Sequence, residues 1–578
     1  MCGILYTNLK SNLRNLDGFR ADFENALDVM RYRGTDSIGV ENLGTHYFGH
    51  VRLSIIDLKD SSNQPFQDDE NLLIFNGEIY NYKDIDQNSL SDTATLFNQM
   101  KRKQNQFSAL RGVFAFGWFN KVTEEVSFYR DFYGEKPLYY YSDKDIDVVS
   151  STLKSLKHVL HAVGKDLEIN YEVIKSDFML FGYIREPHTI WRDVYMVSPG
   201  HKMSFSNSLT HLTPLNFEIK DSYYNWDKSD YIKNALLSTD VPGTLLLSAG
   251  IDSTYVLSQA MKNKISLNLG LYKAENIEID ESKDALANLE KFDYSKKDFP
   301  INLILSTNFG LVQLEEFCSL LEQPSSDGLQ LYNLLKQIKA KVPALKLVYT
   351  GLGGDEMFGG YPTFLNYSKI RLLVLIPFIE KLYPKMERFV FGYKVFGFFD
   401  ADLYSFLYRL NYEIFNKIYT DRAIIKKIYK RYKESLDKLP SEVKSMNFKD
   451  EYYSIKKNET FQYCMNQLLR DNDNISMFLG LESRSPLLNP DWYAQKPDGK
   501  LGLKNYLKKG FGIGFGQKKG FGLDENPLRK IYIEYIKLNI MFIKNQKLSA
   551  LFMNYEESSV AELRKLALLC GWLKYNSK

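Results

Sequence analysis

The hydrophobic rhythm of this chain changes near residue 235, and that change limits what it can fold into. Upstream, short β-prone runs recur at 72–75, 113–119, 126–129, 138–141 and 146–149. Turn residues such as Asn76-Gly77 and Tyr133-Gly134 separate them. Helical patterns at 18–30 and 92–103, the second with Ser91 or Asp92 at its start, flank these runs. Packed antiparallel sheets with flanking helices are the expected result. Downstream, strand patterns at 244–247, 267–271, 302–305 and 345–350 alternate with helices, one from Ser253 and one over 329–339. That alternation predicts a parallel, doubly wound sheet. Residues 205–235 are polar and weakly patterned and read as a linker. Residues 365–480 read as aromatic-rich helices, and the Gly- and Lys-rich stretch 508–522 as a loop.

At 578 residues the chain exceeds the roughly 250–300 at which single cores stop growing, so two or three domains are expected. A net charge of +3 leaves no nucleic-acid footprint. The four cysteines, Cys2, Cys318, Cys464 and Cys570, form no CxxC pair, and the seven histidines form no metal pattern. A disulfide framework and a zinc site are both disfavoured; a reducing, cytoplasmic setting is expected. No secretory leader pattern is present. The longest apolar stretch, 372–379, is broken by Pro377 and followed by Glu380 and Lys381. It falls short of the about 20 residues a membrane span needs and reads as a buried helix or an interface patch.

Three short clusters carry chemistry in the first half. Cys2 becomes the first residue if Met1 is removed, and its thiol then shares a residue with a free α-amine, a built-in base with pKa about 7.7–8.0. Arg52-Leu53-Ser54-Ile55-Ile56-Asp57 and Asn76-Gly77-Glu78-Ile79-Tyr80-Asn81 follow. Alone, these read as a chance cysteine, a surface arginine and a hairpin turn. Together, with Arg33-Gly34-Thr35-Asp36, Ser91-Asp92, the segment 131–139 and Ser198-Pro199-Gly200-His201, they resemble the glutamine amidotransferase domain of the N-terminal nucleophile hydrolases, as found in the asparagine synthetase family. The resemblance implies an αββα sandwich over residues 2–204. It implies that Cys2 attacks the glutamine side-chain amide, with Asn76 and the Gly77 N–H as oxyanion donors. Glutamine would be held by Arg52, Leu53, Ser54, Ile55, Ile56, Asn76, Gly77, Glu78 and Asp92, Arg52 forking onto the carboxylate and the two acids accepting the ammonium.

In the second half, Leu246-Leu247-Ser248-Ala249-Gly250-Ile251-Asp252-Ser253-Thr254 follows a strand pattern and opens a helix. Small residues there let backbone N–H groups face an anion, and no GK[ST] follows. The segment resembles the pyrophosphate loop of the ATP-pyrophosphatase fold, with Ala249 for a usual Gly; its methyl is tolerable if φ stays negative. Thr350-Gly351-Leu352-Gly353-Gly354-Asp355-Glu356 also ends a strand pattern, where ligands bind in open α/β sheets. The resemblance implies a synthetase domain over 236–578 that uses ATP and Mg²⁺. ATP would contact Leu246, Ser248, Ala249, Gly250, Ile251, Asp252, Ser253, Leu269, Thr350, Gly351 and Lys518, and the metal Asp252 and Asp355. Lys518, with Lys519 as its substitute, would neutralise the leaving pyrophosphate.

Ammonia from the first domain would then amidate an acyl-adenylate in the second. Aspartate is the family's acceptor, but the position of Leu352 is typically Glu in asparagine synthetases. Either Glu356 or Glu482 takes that part, or the acceptor is another carboxylate, for example a sugar acid in surface-polysaccharide assembly. A non-catalytic glutamine- or nucleotide-binding relative is the third reading, and intact Cys2, Asn76, Asp252 and Asp355 argue against it. Other departures are Thr35 for Pro, Phe132 for Arg, Ser151-Thr152 for Ser-Glu, and Asn489 for Asp; the first three bear on support of the glutamine pocket or its communication with the second domain. The expected partners are glutamine, ATP and a carboxylate, with no nucleic acid and no membrane span, and the aromatic-rich helices offer a homodimer face.

Overall fold

The computed structural model describes residues 2–10, 13, 18–102, 106–206, 209–219, 226, 229–273, 280–292, 299–305, 310–419, 421, 423–445, 450–515, 525–543 and 546–576. Two six-stranded antiparallel sheets open the chain. One runs in the spatial order Tyr195–Met196, Tyr139–Ser142, Ile146–Ser150, Gly3–Leu9, His46–Arg52, Ser37–Leu43. The other runs Leu209–Pro214, His201–Ser206, Glu125–Arg130, Gly112–Asn120, Asn71–Ile79, Phe66–Gln67.

Alternation along the strand Gly3–Leu9 explains the layering. Ile4 and Tyr6 enter the core between the sheets, where they meet Leu72, Ile74, Ala115 and Phe128 of the facing sheet. Leu5 and Leu9 point the other way, beneath helix Phe19–Val29, whose Phe19 and Phe23 rings pack 5.1 and 5.5 Å from Tyr47. Helix Asp92–Lys101 covers the second sheet, with Phe97 5.2 Å from Trp118. Its N-cap Ser91 accepts the Ala94 N–H at 3.1 Å. The result is an α-β-β-α sandwich.

A five-stranded parallel sheet follows. Its spatial order is Ile301–Leu305, Asn268–Lys273, Gly243–Leu247, Leu347–Tyr349, Glu482–Arg484. The order therefore reverses between Gly243–Leu247 and Leu347–Tyr349, and a crevice opens at the carboxyl ends of those two strands. Helices dominate the rest of the chain, and Val560–Asn576 packs back on Leu311–Leu320 and Glu525–Asn539.

Four expectations are corrected. Asn76-Gly77 is not a turn: it lies inside strand Asn71–Ile79, with Gly77 opposite Phe114. The 205–235 linker begins later than expected, because Leu209–Pro214 adds an edge strand beside His201–Ser206; an edge strand has one neighbour and needs little apolar signal. Residues 508–511 close helix Leu501–Phe511 rather than open a loop, and 516–522 lie outside the described residues. Finally, most of 372–379 is exposed rather than buried.

Candidate active sites

The first site forms where the two antiparallel sheets bring Cys2 beside Asn76. The Cys2 N–H donates to Asn76 Oδ1 at 3.2 Å, and its carbonyl accepts from Arg33 Nε at 3.0 Å. Asn76 is fixed from its other end, where Nδ2 donates to Ser151 Oγ at 3.5 Å. The same hydroxyl accepts the Ile4 N–H at 3.0 Å. Ser151 thus ties the strand that follows Cys2 to the Asn76 side chain. Gly77 has φ 155°, and a Cβ there would meet the Val113 carbonyl oxygen at 2.2 Å. Only glycine lets the strand run this close to its neighbour.

Cys2, Arg52, Leu53, Ile55, Ile56, Gly77, Glu78 and Asp92 line one pocket together with Gln64, Phe75 and Thr93. The last three escaped sequence reading. Gln64 Oε1 accepts the Phe75 N–H at 2.6 Å, a contact that no local pattern announces. Ser54 is not among the lining residues; its backbone N–H donates to Asp36 Oδ2 at 2.6 Å, and Asp36 pairs with Lys346 of the second half. Arg52 does not present an open fork. Its Nη1 donates to Lys59 O and Asn63 Oδ1, both at 2.8 Å, and its Nη2 to Ile56 O at 3.4 Å and to Asp57 O. Those bonds clamp the loop that walls the pocket, while the guanidinium charge stays at its edge.

The electrostatics of the pocket follow from burial. Burial pushes the Cys2 thiol up, against the Leu53 N–H and the Arg52 charge, which pull it down. Asp92 is pushed up to about 7, by burial and then by Glu78, while the Ile79 and Thr93 N–H groups at 3.1 and 2.8 Å hold it down. Glu78 is paired by a residue from the other half of the chain: Arg484 Nη2 donates to Glu78 Oε1 at 2.7 Å, and Nε lies 2.6 Å from Oε2.

The second site lies in the crevice of the parallel sheet. Ser248 and Ser253 lock the loop that opens helix Ile251–Lys262: their hydroxyls are 3.0 Å apart, and the Ser248 N–H donates to Ser253 Oγ at 3.1 Å. Ala249 is not among the residues with positive φ, so its methyl fits. Leu246 and Leu269 lie on adjacent strands, and the Thr350 N–H donates to Arg484 O at 3.0 Å. Gly351 and Gly354 allow the two loops to touch: a Cβ on Gly351 would meet the Ser253 nitrogen at 2.9 Å, and one on Gly354 the Asp252 Oδ1 at 2.3 Å.

Asp252 and Asp355 converge on one buried cation that sequence reading missed. Lys500 Nζ lies 2.5 Å from Asp252 Oδ2 and also pairs with Asp355 Oδ1. Burial lowers the Lys500 pKa and the two carboxylates raise it; the carboxylates win. The signal in the sequence was only Gly499-Lys500 ahead of a helix, far from either acidic loop. Two carboxylates aimed at one point are an oxygen-donor pair suited to a hard cation shared with phosphates. Among the described residues no group of three or more His, Cys, Asp or Glu is gathered for a metal, so such a cation would depend on phosphate oxygens. Lys518 and Lys519 lie outside the described residues.

Leu352 is half-buried against the core, its N–H 3.4 Å from Thr350 Oγ1. Beside it in the chain, Glu356 is buried, accepts the Tyr361 hydroxyl at 2.6 Å, and is pushed up to about 7 by burial and then by Asp355. A buried ionic chain links the two halves. Arg33 donates to Asp473 at 2.8 and 3.2 Å, and Lys136 Nζ lies 3.5 Å from Asp473 and 3.6 Å from Glu482. Burial raises the Glu482 carboxyl above its ordinary range, with Lys136 pulling it down and Glu78 pushing it up. Lys154 adds a further link through its N–H to Glu322 Oε2 at 3.0 Å and its Nζ to Ser319 O at 2.7 Å. Phe132 replaces charge with packing, its ring 5.4 Å from Phe217 and 6.2 Å from Phe461.

Comparison with known proteins matches both halves. A glutamine amidotransferase domain family covers residues 1–215, and an asparagine synthase family covers 231–491. The chain is 30% identical over 417 residues to a glutamine-hydrolysing asparagine synthetase of Bacillus subtilis, a match spanning 65% of this chain and 61% of that protein. It is 26% identical over 403 residues to a putative glutamine-hydrolysing asparagine synthetase of Methanocaldococcus jannaschii, spanning 63% of this chain and 75% of that protein. It is also 28% identical over 393 residues to an amidase of Gibberella zeae, spanning 59% of this chain and 56% of that protein. The chain thus matches under two thirds of the Bacillus and Gibberella proteins' own lengths.

Proposed function

The chain belongs to the glutamine-hydrolysing asparagine synthetase family, and we propose that it splits glutamine at Cys2 and uses the ammonia to amidate an ATP-activated carboxylate. The observation that carries this reading is the Arg484–Glu78 pair: a residue beside the nucleotide crevice holds an acid of the Cys2 pocket.

In the first step the Cys2 sulfur attacks the side-chain amide carbon of glutamine. The thiol is held above its ordinary pKa, so its proton leaves as the attack occurs. The α-amine that Met1 removal would free is the base at hand. Asn76 Nδ2 and the Gly77 N–H meet the charge growing on the amide oxygen. Ammonia departs, and water then releases glutamate from the thioester. Glu78 and Asp92 accept the substrate ammonium, while Arg52 supplies positive charge for its carboxylate.

In the second step an acceptor carboxylate attacks the α-phosphorus of ATP and pyrophosphate leaves. Ammonia displaces AMP from the acyl-adenylate. The loop 248–253 cradles phosphates at a helix N-terminus, Leu246, Leu269, Thr350 and Gly351 wall the adenosine side, and Lys500, with Lys518, offsets phosphate charge. Mg²⁺ would be held by Asp252 and Asp355 and would neutralise the phosphates when bound.

Aspartate is the family's acceptor and the first reading here. The half-buried Leu352 favours a second one, the same chemistry on another carboxylate such as a sugar acid, because leucine offers no proton or charge to an incoming ammonia. Glu356 and Glu482, both pushed up by burial, are the groups available for that part. ATP–pyrophosphate exchange across a panel of carboxylates decides between them. Exchange with aspartate supports asparagine synthesis; exchange with another acid and none with aspartate overturns it. Wild-type glutaminase activity that disappears in Cys2→Ala is the companion result; its absence in wild type sinks the proposal as a whole.

A further inference from the structure

Between helix Pro362–Leu373 and helix Glu387–Phe396 the chain makes a short turn-rich excursion through Ile379–Leu382 and Pro384–Met386. The apolar side chains from the last turn of the first helix through the excursion face out: Leu372, Leu375, Ile376, Phe378, Leu382 and Tyr383 are between 46% and 75% exposed. Scattered exposed apolar residues are ordinary, but six of them within 12 positions form a patch of the kind that marks a contact surface. Ile379 and Met386 anchor the excursion in the core, so it is a formed feature and not a frayed end.

The backbone at its tip is held in a costly state. Phe378 has φ 60° and ψ 18°, a left-handed conformation that a bulky side chain rarely adopts. Strain of this kind persists where surrounding structure enforces it, and it collects at functional segments. Here it projects the largest apolar ring of the excursion into solvent.

Charge selects the occupant. Residues 362–398 contain six cations, Lys369, Arg371, Lys381, Lys385, Arg388 and Lys394, against Glu380 and Glu387. Lys394 satisfies Glu380 at 2.9 Å and Arg371 reaches Glu451 at 2.6 Å. Lys369, Lys381 and Lys385 are exposed and make no ion pair among the described residues. An isologous contact between two copies would set these cations against their own images. An anionic lipid surface meets both demands, taking apolar side chains at the acyl boundary and lysines at the headgroups. No helix among the described residues is long and apolar enough to cross a membrane, and this mode of attachment needs none.

We propose that residues 372–385 dock the protein peripherally on a bilayer rich in anionic phospholipid, with Phe378 and Leu382 inserted and Lys369, Lys381 and Lys385 at the headgroups. Co-sedimentation of the full chain with phosphatidylcholine vesicles, with and without phosphatidylglycerol, tests this. Binding is expected to the anionic vesicles and to weaken with added salt. Each Lys→Ala substitution at 369, 381 or 385 should lower the partition about fivefold, from roughly 1 kcal/mol per cation at such a surface. Phe378→Gly relieves the left-handed backbone while removing the ring, so it should melt no lower than wild type and keep full glutaminase activity, yet bind the vesicles at least about tenfold more weakly. No sedimentation with anionic vesicles overturns the proposal. So does a dimer by light scattering that Phe378→Gly dissociates, since the face then belongs to a second copy.

Discussion

Arg484 crosses from the edge strand of the parallel sheet to Glu78 in the pocket of Cys2, Nη2 to Oε1 at 2.7 Å, with both side chains buried. Its remaining donors are held at home: Nη1 donates to Ala235 O at the end-turn of helix Asp230–Leu237, and Nη2 also to Ser238 O at 2.9 Å. One side chain therefore fixes an acid of the first site from the framework of the second. Removing one partner of such a pair leaves a buried charge, at a cost of about 3–5 kcal/mol. Arg484→Met is expected to lose stability on that order in chemical denaturation. Glu78→Gln combined with Arg484→Met should recover most of it, because neither charge is then left alone. Additive losses in the double variant would show that the pair is not coupled.

If glutamine binds as proposed, Asp92 should set the pH response of its binding. Its folded pKa of about 7 lies above the unfolded value of about 3.9. The sign follows: its contribution to stability is fully present below about pH 4 and is lost as pH rises through about 7. Binding runs the other way, because only the ionised carboxylate can accept the substrate ammonium as a charge partner. The KM for glutamine should rise as pH falls below about 7, approaching tenfold per unit, and Asp92→Asn should flatten that limb. An identical acid limb in Asp92→Asn would assign the titration to another group.

Lys500 should separate the two proposed activities. Its ammonium lies between Asp252 and Asp355 and far in sequence from both. Lys500→Met should leave glutaminase turnover within about twofold, since the residue makes no contact with the Cys2 pocket. ATP–pyrophosphate exchange should fall by on the order of a hundredfold, the scale on which loss of one preorganised charge slows a reaction. Unchanged exchange would mean that Lys500 only fills space between the acids.

Gly77→Ala tests the strand geometry at the proposed oxyanion position. The added methyl would meet the Val113 carbonyl at 2.2 Å in a backbone with φ 155°. The strand must shift, carrying the Gly77 N–H off its target. A kcat loss of about a hundredfold or more with a lowered melting temperature is expected. Wild-type kcat at normal stability would remove the Gly77 N–H from the mechanism.

The strand runs at 113–119 and 126–129 and the alternation after 243 were legible because period-2 and strand–helix patterns are local, and each became its element with boundary shifts of a residue or two. Asn76-Gly77 was marked in the sequence as a chemical candidate but misread as a turn. The dipeptide has hairpin character, but cross-strand pairing with Phe114 and Ala115 overrides it. The apolar stretch 372–379 shows the opposite limit: hydropathy does not say which side of a helix bundle a segment reaches.

The sequence by itself determined the antiparallel and parallel halves and marked Cys2 and the two acidic loops as candidates, because residue type and short spacing carry that information. Only the tertiary structure decided how they meet. Lys500 between Asp252 and Asp355, Arg484 on Glu78, and Gln64 behind Phe75 are contacts across 11 to 406 positions of chain. Such contacts come from sheet order and domain packing, and no local pattern of residues encodes them.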